Sequence, residues 1–342
     1  MTETSLAPTR RRRGLSITLI VIGVTVLGTV AMGTIWAASV ASKFDSGTEK
    51  IDKAFPDESS RPAEPTGAAA GAQNILLLGS DTRGEVDDID DLEGQRSDTM
   101  MIVHVPADRQ NVTVMSIMRD TWVDIPGHGS AKINAALSYG GVPLAVQTVE
   151  SLTGSRIDHV AIIDFEGFKG LTDALGGVDV SNPIAFESSQ KPGLVFDEGF
   201  IHLNGEDGLV FTRERYAFDD GDYQRVRNQQ LYLRAIINRF LSSETLTNPA
   251  RIGESIGAIA PFLTVDRELT SGYAGGLGLE LREVRGDDIT FFTLPTSGTG
   301  TSDDGQSIVV LDGARLPEVQ AAFARGTLDE FAAKVLAESA AG

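Results

Sequence analysis

The sequence contains no cysteine, which excludes disulfide bonds, thiolate metal sites and a cysteine nucleophile. Histidine is also scarce, and the four histidines are scattered at spacings that match no metal site, so we expect each to be structural. There is no HExxH zinc motif and no GxxxxGK(S/T) phosphate loop. If the chain is an enzyme, aspartate, arginine and any bound metal ion must carry its chemistry.

Positive charge is the minority charge, since 29 Lys and Arg stand against 48 Asp and Glu, for a formal net charge of −19. This balance excludes a general affinity for nucleic acid or anionic lipid, because such partners need a basic face. Hydrophobic residues make up 41% and charged residues 23%, which is the balance of a globular protein. The 342 residues suffice for one large domain or two ordinary ones.

Charge is absent from Leu15 to Ser42. About 20 apolar residues are enough to cross a bilayer, and the preceding Arg10–Arg13 predict a cytoplasmic N-terminus by the positive-inside rule. The alternative is a cleaved signal peptide, whose apolar core would be only about 7–15 residues long. We therefore predict a cytoplasmic tail over residues 1–14, a single-pass transmembrane anchor over 15–42, and the bulk of the chain outside the cytoplasm.

Residues 43–72 are rich in proline, alanine, serine and charge and lack apolar periodicity, which predicts a flexible linker. Beyond it, the apolar runs NILLLG, TMMIVHVP and VTVMSIM predict buried strands, the last two joined as an antiparallel hairpin. The apolar spacing over Tyr223–Leu241 predicts a long amphipathic helix. Strands and helices are interspersed, so we predict one α/β domain over residues 73–335, with a mixed sheet and helices on both faces.

Polar residues cluster at the ends of the predicted strands. Because the second and third strands run antiparallel, we expect Asp98 and Arg119 at the same edge of the sheet. Ligands of open α/β sheets bind at strand ends, although any single residue there is as readily a helix cap, a turn residue or a surface ion pair. The clustered residues are Asp81, Arg83, Arg96, Asp98, Arg119, Asp120 and, in a loop entering a helix, Lys132.

The stretch FTRERYAFDDGDYQRVRNQQ is dense in arginine. Arg225 and Gln229 are four residues apart on the long helix and share a face. Arg213 and Arg215 would point about 200° apart on a continuous helix, so they reach one ligand only if the chain there is extended or leaving a helix. Arg227 lies on another face and is expected to be a surface residue.

These arginines have two interpretations. They can pair with the carboxylates of the same stretch, which contributes little; those carboxylates are Glu214, Asp219, Asp220 and Asp222. Alternatively, they bind a phosphate, for which arginine provides bidentate geometry. Carboxylates close to several arginines suit Mg²⁺ on a pyrophosphate, where oxygen ligands take the metal and guanidinium groups take the remaining phosphate oxygens.

At this point the residues match a known family. The motifs NILLLGSDTR, RSDTMMIVHV, SIMRDTWVDIPGHG, KINAALSYGG, IDHVAIIDFEGFKGLTDALGGVDV and RERYAFDDGDYQRVRNQQ follow in this order over residues 73–242. Together they resemble the LytR-CpsA-Psr family. The resemblance implies a membrane-anchored enzyme of mainly Gram-positive bacteria that transfers a phosphoglycan (teichoic acid, capsule or arabinogalactan) from a polyprenyl-pyrophosphate carrier to peptidoglycan. It also implies an α/β/α sandwich, with the prenyl chain in an apolar tunnel and the pyrophosphate at its mouth.

The resemblance assigns roles by position. It implies Asp81 and Asp98 as ligands of Mg²⁺, or of Mn²⁺ in its place, and Arg119 as a catalytic residue, with Asp81 also a candidate general base. The pyrophosphate-binding set is Arg96, Arg213, Arg215, Arg225 and Gln229, to which we add the strand-end residues Arg83 and Lys132. Two departures are Met118 in place of the usual proline, and Tyr223–Arg225 in place of the usual FGR.

Two further expectations concern the surroundings of this site. The acidic insert Glu85–Gly94 is expected to be a solvated lid, with a second cation site as the alternative. The apolar faces of Ile133–Val149 and Ile163–Leu175 are expected to line the prenyl tunnel in part, since ordinary core packing accounts for the rest.

Two other functions stay open from the sequence. One is a pyrophosphatase that acts on the same lipid with water as acceptor, for which every residue above would serve equally. The other is a non-enzymatic binding or regulatory protein of the cell envelope.

Overall fold

The computed structural model describes residues 33–80 and 97–341. The strands are β1 (Glu49–Ile51), β2 (Gln73–Ser80), β3 (Ser97–Val105), β4 (Val112–Ile117), β5 (Trp122–Ile125), β6 (Gly129–Lys132), β7 (His159–Asp164), β8 (Val178–Asn182), β9 (Phe186–Glu187), β10 (Val195–Phe196), β11 (Gly199–Leu203), β12 (Leu263–Asp266), β13 (Ile289–Thr293), β14 (Thr296–Thr301) and β15 (Ser307–Leu311). The helices are α1 (33–47), α2 (Ala135–Thr153), α3 (Phe165–Ala174), α4 (Gly205–Arg213), α5 (Asp222–Phe240), α6 (Ser243–Leu246), α7 (Pro249–Ile259), α8 (Ser271–Glu280), α9 (Leu316–Arg325) and α10 (Leu328–Ala341).

Seven strands form one mixed sheet in the order β1-β12-β7-β2-β3-β4-β13. The predicted hairpin is confirmed, since β3 and β4 pair antiparallel with Met100 opposite Ile117. β2 runs parallel to β7, and β4 runs parallel to β13. The carboxyl ends of β2, β4, β7 and β13 therefore meet the amino end of β3 at one edge of the sheet, which we call the upper edge.

The two faces of the sheet are covered because apolar side chains of each strand alternate between them. Leu76 and Leu78 belong to a core cluster with α2, α9 and α10, whereas Leu77 packs in the opposite layer, near α8 and the outer half of α5. A second cluster, centred on Phe211 and Tyr232, joins α3, α4 and α5 to the small β8–β11 and β9–β10 pairs. The predicted mixed sheet with helices on both faces is thus confirmed.

Residues 43–72 do not form the predicted flexible linker. Within this segment β1 pairs in parallel with β12, at the edge of the central sheet. Arg61 donates from Nη2 to Glu150 Oε1 over 2.6 Å, and Ile51, Ala54 and Ala69 are buried. A few such contacts hold a segment in place even when its sequence shows no hydrophobic periodicity. The folded domain therefore begins before residue 73.

The predicted anchor over residues 15–42 lies mostly outside the described residues. Its last part is helical and belongs to α1, where Trp36 donates from Nε1 to the backbone oxygen of Pro249 over 3.0 Å. Across residues 33–80 and 97–341, no helix combines the length and the apolarity needed to span a bilayer.

Candidate active site

A polar cleft of ≈ 670 Å³ opens at the upper edge of the sheet. Its wall combines charged residues with aromatic and neutral polar ones, drawn from the chain after β4, β6, the start of α2, the loop before α5, and the amino end of β15. The lining residues are Arg119, Asp120, Ala131, Lys132, Asn134, Ala135, Tyr139, Arg215, Tyr216, Phe218, Gly221, Asp222, Gln306 and Ser307. The predicted convergence of polar residues at this edge is therefore observed for Arg119, Asp120 and Lys132.

Hydrogen bonds hold the backbone of Arg119 and of Asp120 in place. Its carbonyl accepts from Asn134 N (3.2 Å), and the carbonyl of Asp120 accepts from Val309 N (2.9 Å). Met118, which stands where the family usually has proline, packs with Val226 and Val309 and so ties the turn to α5 and β15. This tight turn directs the two charged residues to the cleft, where Lys132 Nζ lies 3.1 Å from Asp120 Oδ1.

Asp222, at the first turn of α5, is the centre of the charged cluster. Its carboxylate oxygens lie 3.8 Å from Arg119 Nε, 3.7 Å from Arg215 Nη1 and 3.4 Å from Arg225 Nη2. These three arginines come from different segments of the chain, and Arg225 is buried. Three guanidinium groups thus gather around one carboxylate at the wall of the cleft, an arrangement that suits a polyanionic ligand.

Burial by itself would raise the pKa of Asp120. The hydrogen bond from Lys132 and the positive charges of Arg119 and Lys132 oppose that effect and hold the pKa below its usual value. Asp120 is therefore a carboxylate at neutral pH and a weak base, better suited to orienting Lys132 and Arg119 than to accepting a proton.

The loop after α4 is shaped by Glu214, which is fully buried. Its Oε1 accepts from the backbone N–H groups of Arg215 (3.0 Å) and Tyr216 (3.0 Å), and Oε2 accepts from Ser189 N (2.7 Å). Since α4 ends at Arg213 and Glu214 has an extended backbone (φ −69, ψ 133), Arg213 and Arg215 do not share a continuous helix. The predicted break between them is confirmed, but Glu214 turns the chain and does not pair with the arginine side chains as the ion-pair interpretation supposed.

A separate apolar cavity of ≈ 50 Å³ lies between the sheet and α3, α4 and α5. Leu77, Met101 and Ile163 line it from the strands. Helix residues line the other side, namely Phe168, Lys169, Gly205, Leu209, Thr212, Gln229, Tyr232 and Leu233. Of the two segments predicted to line such a tunnel, Ile163–Leu175 contributes in part. Ile133–Val149 contributes no lining residue, because its apolar side chains pack in the core on the other face of the sheet.

The predicted site residues divide into three groups. Arg119, Lys132 and Arg215 line the cleft, and Arg225 pairs with Asp222 beside it. Gln229 is buried and borders the apolar cavity, while Arg213, half-buried, follows Thr212 of the cavity wall and precedes the cleft residue Arg215. Asp81, Arg83, Arg96 and the insert over residues 85–94 lie outside the described residues, and only the place of Asp98 in β3 is described.

Arg227 behaves as the sequence predicts. It is exposed, and its guanidinium pairs with Asp220 and Gln224 on the outer side of α5. Among the side chains that the structure describes, no group of three or more His, Asp or Glu is arranged to hold a metal ion.

A sequence model of the LytR_cpsA_psr family matches residues 36–325. The chain belongs to the LytR-CpsA-Psr family. The match begins inside α1 and includes the segment 43–72, in agreement with the packing of that segment on the domain.

Individual members of the LytR-CpsA-Psr family are also similar to this chain. The cell wall biosynthesis protein LcpA of Corynebacterium glutamicum is 33% identical over 72% of this chain and 54% of its own length, so the chain spans about half of that relative. The teichoic acid transferase TagU of Enterococcus faecalis is 31% identical over 90% of this chain and 96% of its own. A solved structure of TagT bound to LI-WTA has a TM-score of 0.60 at 25% identity and covers 80% of this chain and 99% of that one.

In this LytR-CpsA-Psr member, sequence reasoning missed the parts played by Asp222 and Glu214. The sequence predicts for both only an ion pair with neighbouring arginines. Asp222 occupies the first turn of a long helix that also carries Arg225, a signal that it faces the same side. Nothing in the sequence marked Glu214 as an acceptor for a turn, since its hydroxyl and N–H partners Ser188 and Ser189 come from a distant loop.

Proposed function

We propose that this chain transfers a phosphoglycan polymer from a polyprenyl-pyrophosphate carrier to peptidoglycan and leaves a phosphodiester link. The observation that carries the proposal is the neighbourhood of two different sites on α5. Asp222 borders the polar cleft, whereas Gln229, Tyr232 and Leu233 line the apolar cavity. Asp222 and Gln229 are two helical turns apart, about 10 Å along the axis. A ligand with an anionic head and a long apolar chain suits this pair of sites.

The relatives support the same substrate class. The Enterococcus faecalis relative is named a polyisoprenyl-teichoic acid–peptidoglycan teichoic acid transferase, and it is matched over almost its whole length. The similar TagT structure is described as bound to LI-WTA. We extend the transfer of a lipid-linked wall polymer from these proteins to this chain, without assigning the glycan.

The proposed reaction is an in-line displacement at phosphorus. A peptidoglycan sugar hydroxyl attacks the phosphorus nearer the glycan, a new P–O bond forms, and the bond to the bridging oxygen breaks, so that prenyl monophosphate leaves. Phosphoryl transfer is promoted mainly by positioning and by stabilising the charge on the phosphate oxygens. We assign that work to the cations around the cleft, namely Arg119, Lys132, Arg213, Arg215 and Arg225, with Arg83 and Arg96 added from the sequence. Gln229 would position the bridging region beside the cavity.

The proton of the attacking hydroxyl needs an acceptor. Because the pKa of Asp120 is held low, we assign the general base to Asp81. We also propose Asp81 and Asp98 as the residues that hold Mg²⁺ or Mn²⁺, since carboxylate oxygens are the ligands these ions take beside substrate phosphates. The ion, when bound, would neutralise charge on the pyrophosphate.

The location of the reaction follows from the predicted N-terminal anchor. We propose that residues 15–42 span the membrane once with a cytoplasmic N-terminus, so that the cleft faces the cell wall. A carrier held in the membrane by its prenyl chain could then enter the apolar cavity from the bilayer, with the glycan directed toward the wall.

The test uses the full-length protein in detergent with Mg²⁺, a polyprenyl-pyrophosphoryl glycan and soluble peptidoglycan oligomers. Mass spectrometry of the products should find the oligomer joined to the glycan through one phosphate, and prenyl monophosphate in equal amount. Arg119→Ala should abolish both products, while Arg227→Ala, on the outer side of the same region, should retain them.

The other outcomes separate the alternatives. Prenyl monophosphate with a free phosphoglycan and no linked oligomer would identify a pyrophosphatase. Neither product from the wild-type chain, with substrate binding intact, would overturn the enzymatic proposal in favour of a binding or regulatory protein.

A further inference from the structure

The polar cleft is larger and less uniformly charged than a pyrophosphate requires. Its charged residues gather around Asp222, but its lining also contains aromatic and neutral polar residues. These are Tyr139 from the first turns of α2, Tyr216 and Phe218 from the loop after α4, and Gln306 and Ser307 at the start of β15. A cleft of ≈ 670 Å³ falls in the range that accommodates a ligand of several rings.

The two tyrosines are held in place yet remain open. Tyr139 stacks on His128, with ring centroids 5.0 Å apart and planes inclined by 23°, and 46% of the residue is exposed. Tyr216 is 72% exposed, and the guanidinium of Arg215 lies 4.4 Å from its ring centroid and donates to its hydroxyl. Supported aromatic rings that stay accessible in a cleft are typical of a binding surface.

The chemistry of this wall fits a sugar ring. The C–H groups on one face of a pyranose pack on an aromatic ring, and its hydroxyl and acetamido groups need amide and hydroxyl partners. Gln306 and Ser307 supply such partners, and the backbone bond from Val309 N to Asp120 O holds their hairpin to the catalytic turn. A neutral wall next to a cluster of cations thus separates the recognition of a sugar from the recognition of phosphate.

The in-line geometry of the proposed reaction decides which sugar this is. The attacking oxygen must approach phosphorus from the side opposite the leaving group. The leaving prenyl phosphate belongs on the side of the apolar cavity, near Gln229, so the attacking hydroxyl arrives from the cleft side, beyond Asp222. We propose that Tyr139 and Tyr216, with Gln306 and Ser307, form the subsite for an N-acetylated amino sugar of the peptidoglycan acceptor. This inference rests on the proposed transfer function.

The test measures acceptor and donor separately in the full-length protein. Tyr139→Ala and Tyr216→Ala should each raise KM for peptidoglycan oligomers by about tenfold, with KM for the lipid-linked donor unchanged. Tyr139→Phe should behave like wild type, because the stacking ring is kept. Tyr216→Phe removes the hydroxyl that Arg215 contacts but keeps the ring, so it separates stacking from an effect on Arg215. Phe200→Ala removes an 87% exposed ring on β11 that lies outside the cleft, and serves as the matched control.

A second measurement does not depend on the reaction. Titration of the wild-type protein with a peptidoglycan tetrasaccharide, followed by tyrosine fluorescence, should saturate, and the affinity should fall about tenfold in Tyr139→Ala at unchanged melting temperature. Unchanged acceptor KM and unchanged tetrasaccharide affinity in both alanine variants would overturn the subsite. A rise in donor KM instead would assign the rings to the donor glycan and equally overturn it. If the wild type binds the tetrasaccharide at Tyr139 but forms no linked product, the transfer proposal fails while the subsite stands.

Discussion

The two ends of the central sheet use the same kinds of polar residue in opposite ways. At the upper edge, Asp222 is shared among three arginines at 3.4–3.8 Å, and the charged side chains are part of a cleft wall. At the lower edge, where β2 and β7 begin, Arg61 and Glu150 form a short bidentate pair, and Glu150 also accepts from Ile157 N over 2.8 Å. The lower pair makes short contacts within the protein, whereas the contacts of Asp222 with the three arginines are longer and lie beside a cleft.

Two further polar residues at the lower edge find their hydrogen-bond partners within the protein. Asp266 accepts from His159 Nδ1 and from the backbone of Val160, Glu268 and Leu269. The side chain of Asn74 donates to Ser155 and to the backbone oxygen of Arg156. Since these buried polar groups satisfy one another, the network stabilises the fold. The upper edge instead presents its charged groups to a cleft of ≈ 670 Å³.

The largest effect on stability should come from breaking the lower network. Glu150→Ala leaves the half-buried guanidinium of Arg61 without its buried partner, which should cost about 3–5 kcal/mol of unfolding free energy. Urea denaturation of the full chain measures this loss, and transferase activity per folded molecule should not change. Glu58→Gln is the control, because Glu58 pairs with Arg156 at the exposed surface and should leave the urea midpoint nearly unchanged. Equal midpoints for the Glu150 variant and wild type would show that residues 43–72 contribute little to the fold.

Arg119→Ala tests the upper cluster, where we expect a large loss of activity and a small change in stability. Removal of one preorganised cation that stabilises transition-state charge typically costs about 10²–10³ in rate, and we expect such a loss in kcat/KM for transfer. The unfolding free energy should fall by less than it does in Glu150→Ala, because the Arg119 side chain lies at the wall of the cleft and is only partly buried. Activity within a few fold of wild type would remove Arg119 from the catalytic set.

The lower edge should also make the protein sensitive to mild acid. Burial lowers the pKa of His104 to about 4, and its Nε2 has no hydrogen-bond partner among the described residues. The unfolded chain, with a His pKa near 6.5, therefore takes up this proton first, and stability falls as pH decreases from about 6.5 to 4, by about 3 kcal/mol in total. Urea titrations across this range should show a shallower slope for His104→Gln, which retains a donor for Asn74. An identical slope would assign the acid sensitivity to other groups.

Much of this fold could be predicted from local sequence patterns. Short apolar runs located β2, β3 and β4, and the 3.6-residue period located α5, because both patterns record which side of an element is buried. The segment 43–72 was misassigned since its partner, β12, lies far along the chain and its few buried residues form no period. Contacts of that kind depend on tertiary structure, which no local window contains.

The candidate site could be predicted from the sequence to a similar extent. The break between Arg213 and Arg215 followed from helix geometry, and the placing of Asp98 and Arg119 at the same edge followed from strand order. The sharing of Asp222 among three arginines did not follow, because each arginine comes from a different segment. The prediction that Ile133–Val149 lines the tunnel was wrong for a similar reason. An apolar helix face does not reveal from the sequence whether it covers the core or a cavity.

Substitution of Arg227 should have the smallest effect on stability and activity, although Arg227 belongs to the same arginine-rich stretch as Arg225. Its guanidinium pairs with Asp220 and Gln224 on the exposed side of α5, whereas Arg225, two residues earlier, is buried beside Asp222. Because an exposed ion pair contributes only about 0–1 kcal/mol, Arg227→Ala should change neither the melting temperature by more than a few degrees nor kcat/KM by more than about twofold. Arg225→Ala, assayed in parallel, should reduce kcat/KM by at least tenfold, since it removes a buried cation from the cluster. If the two variants lost activity equally, the distinction between a cleft face and an outer face of α5 would be wrong, and the assignment of the pyrophosphate to the cleft face would fail with it.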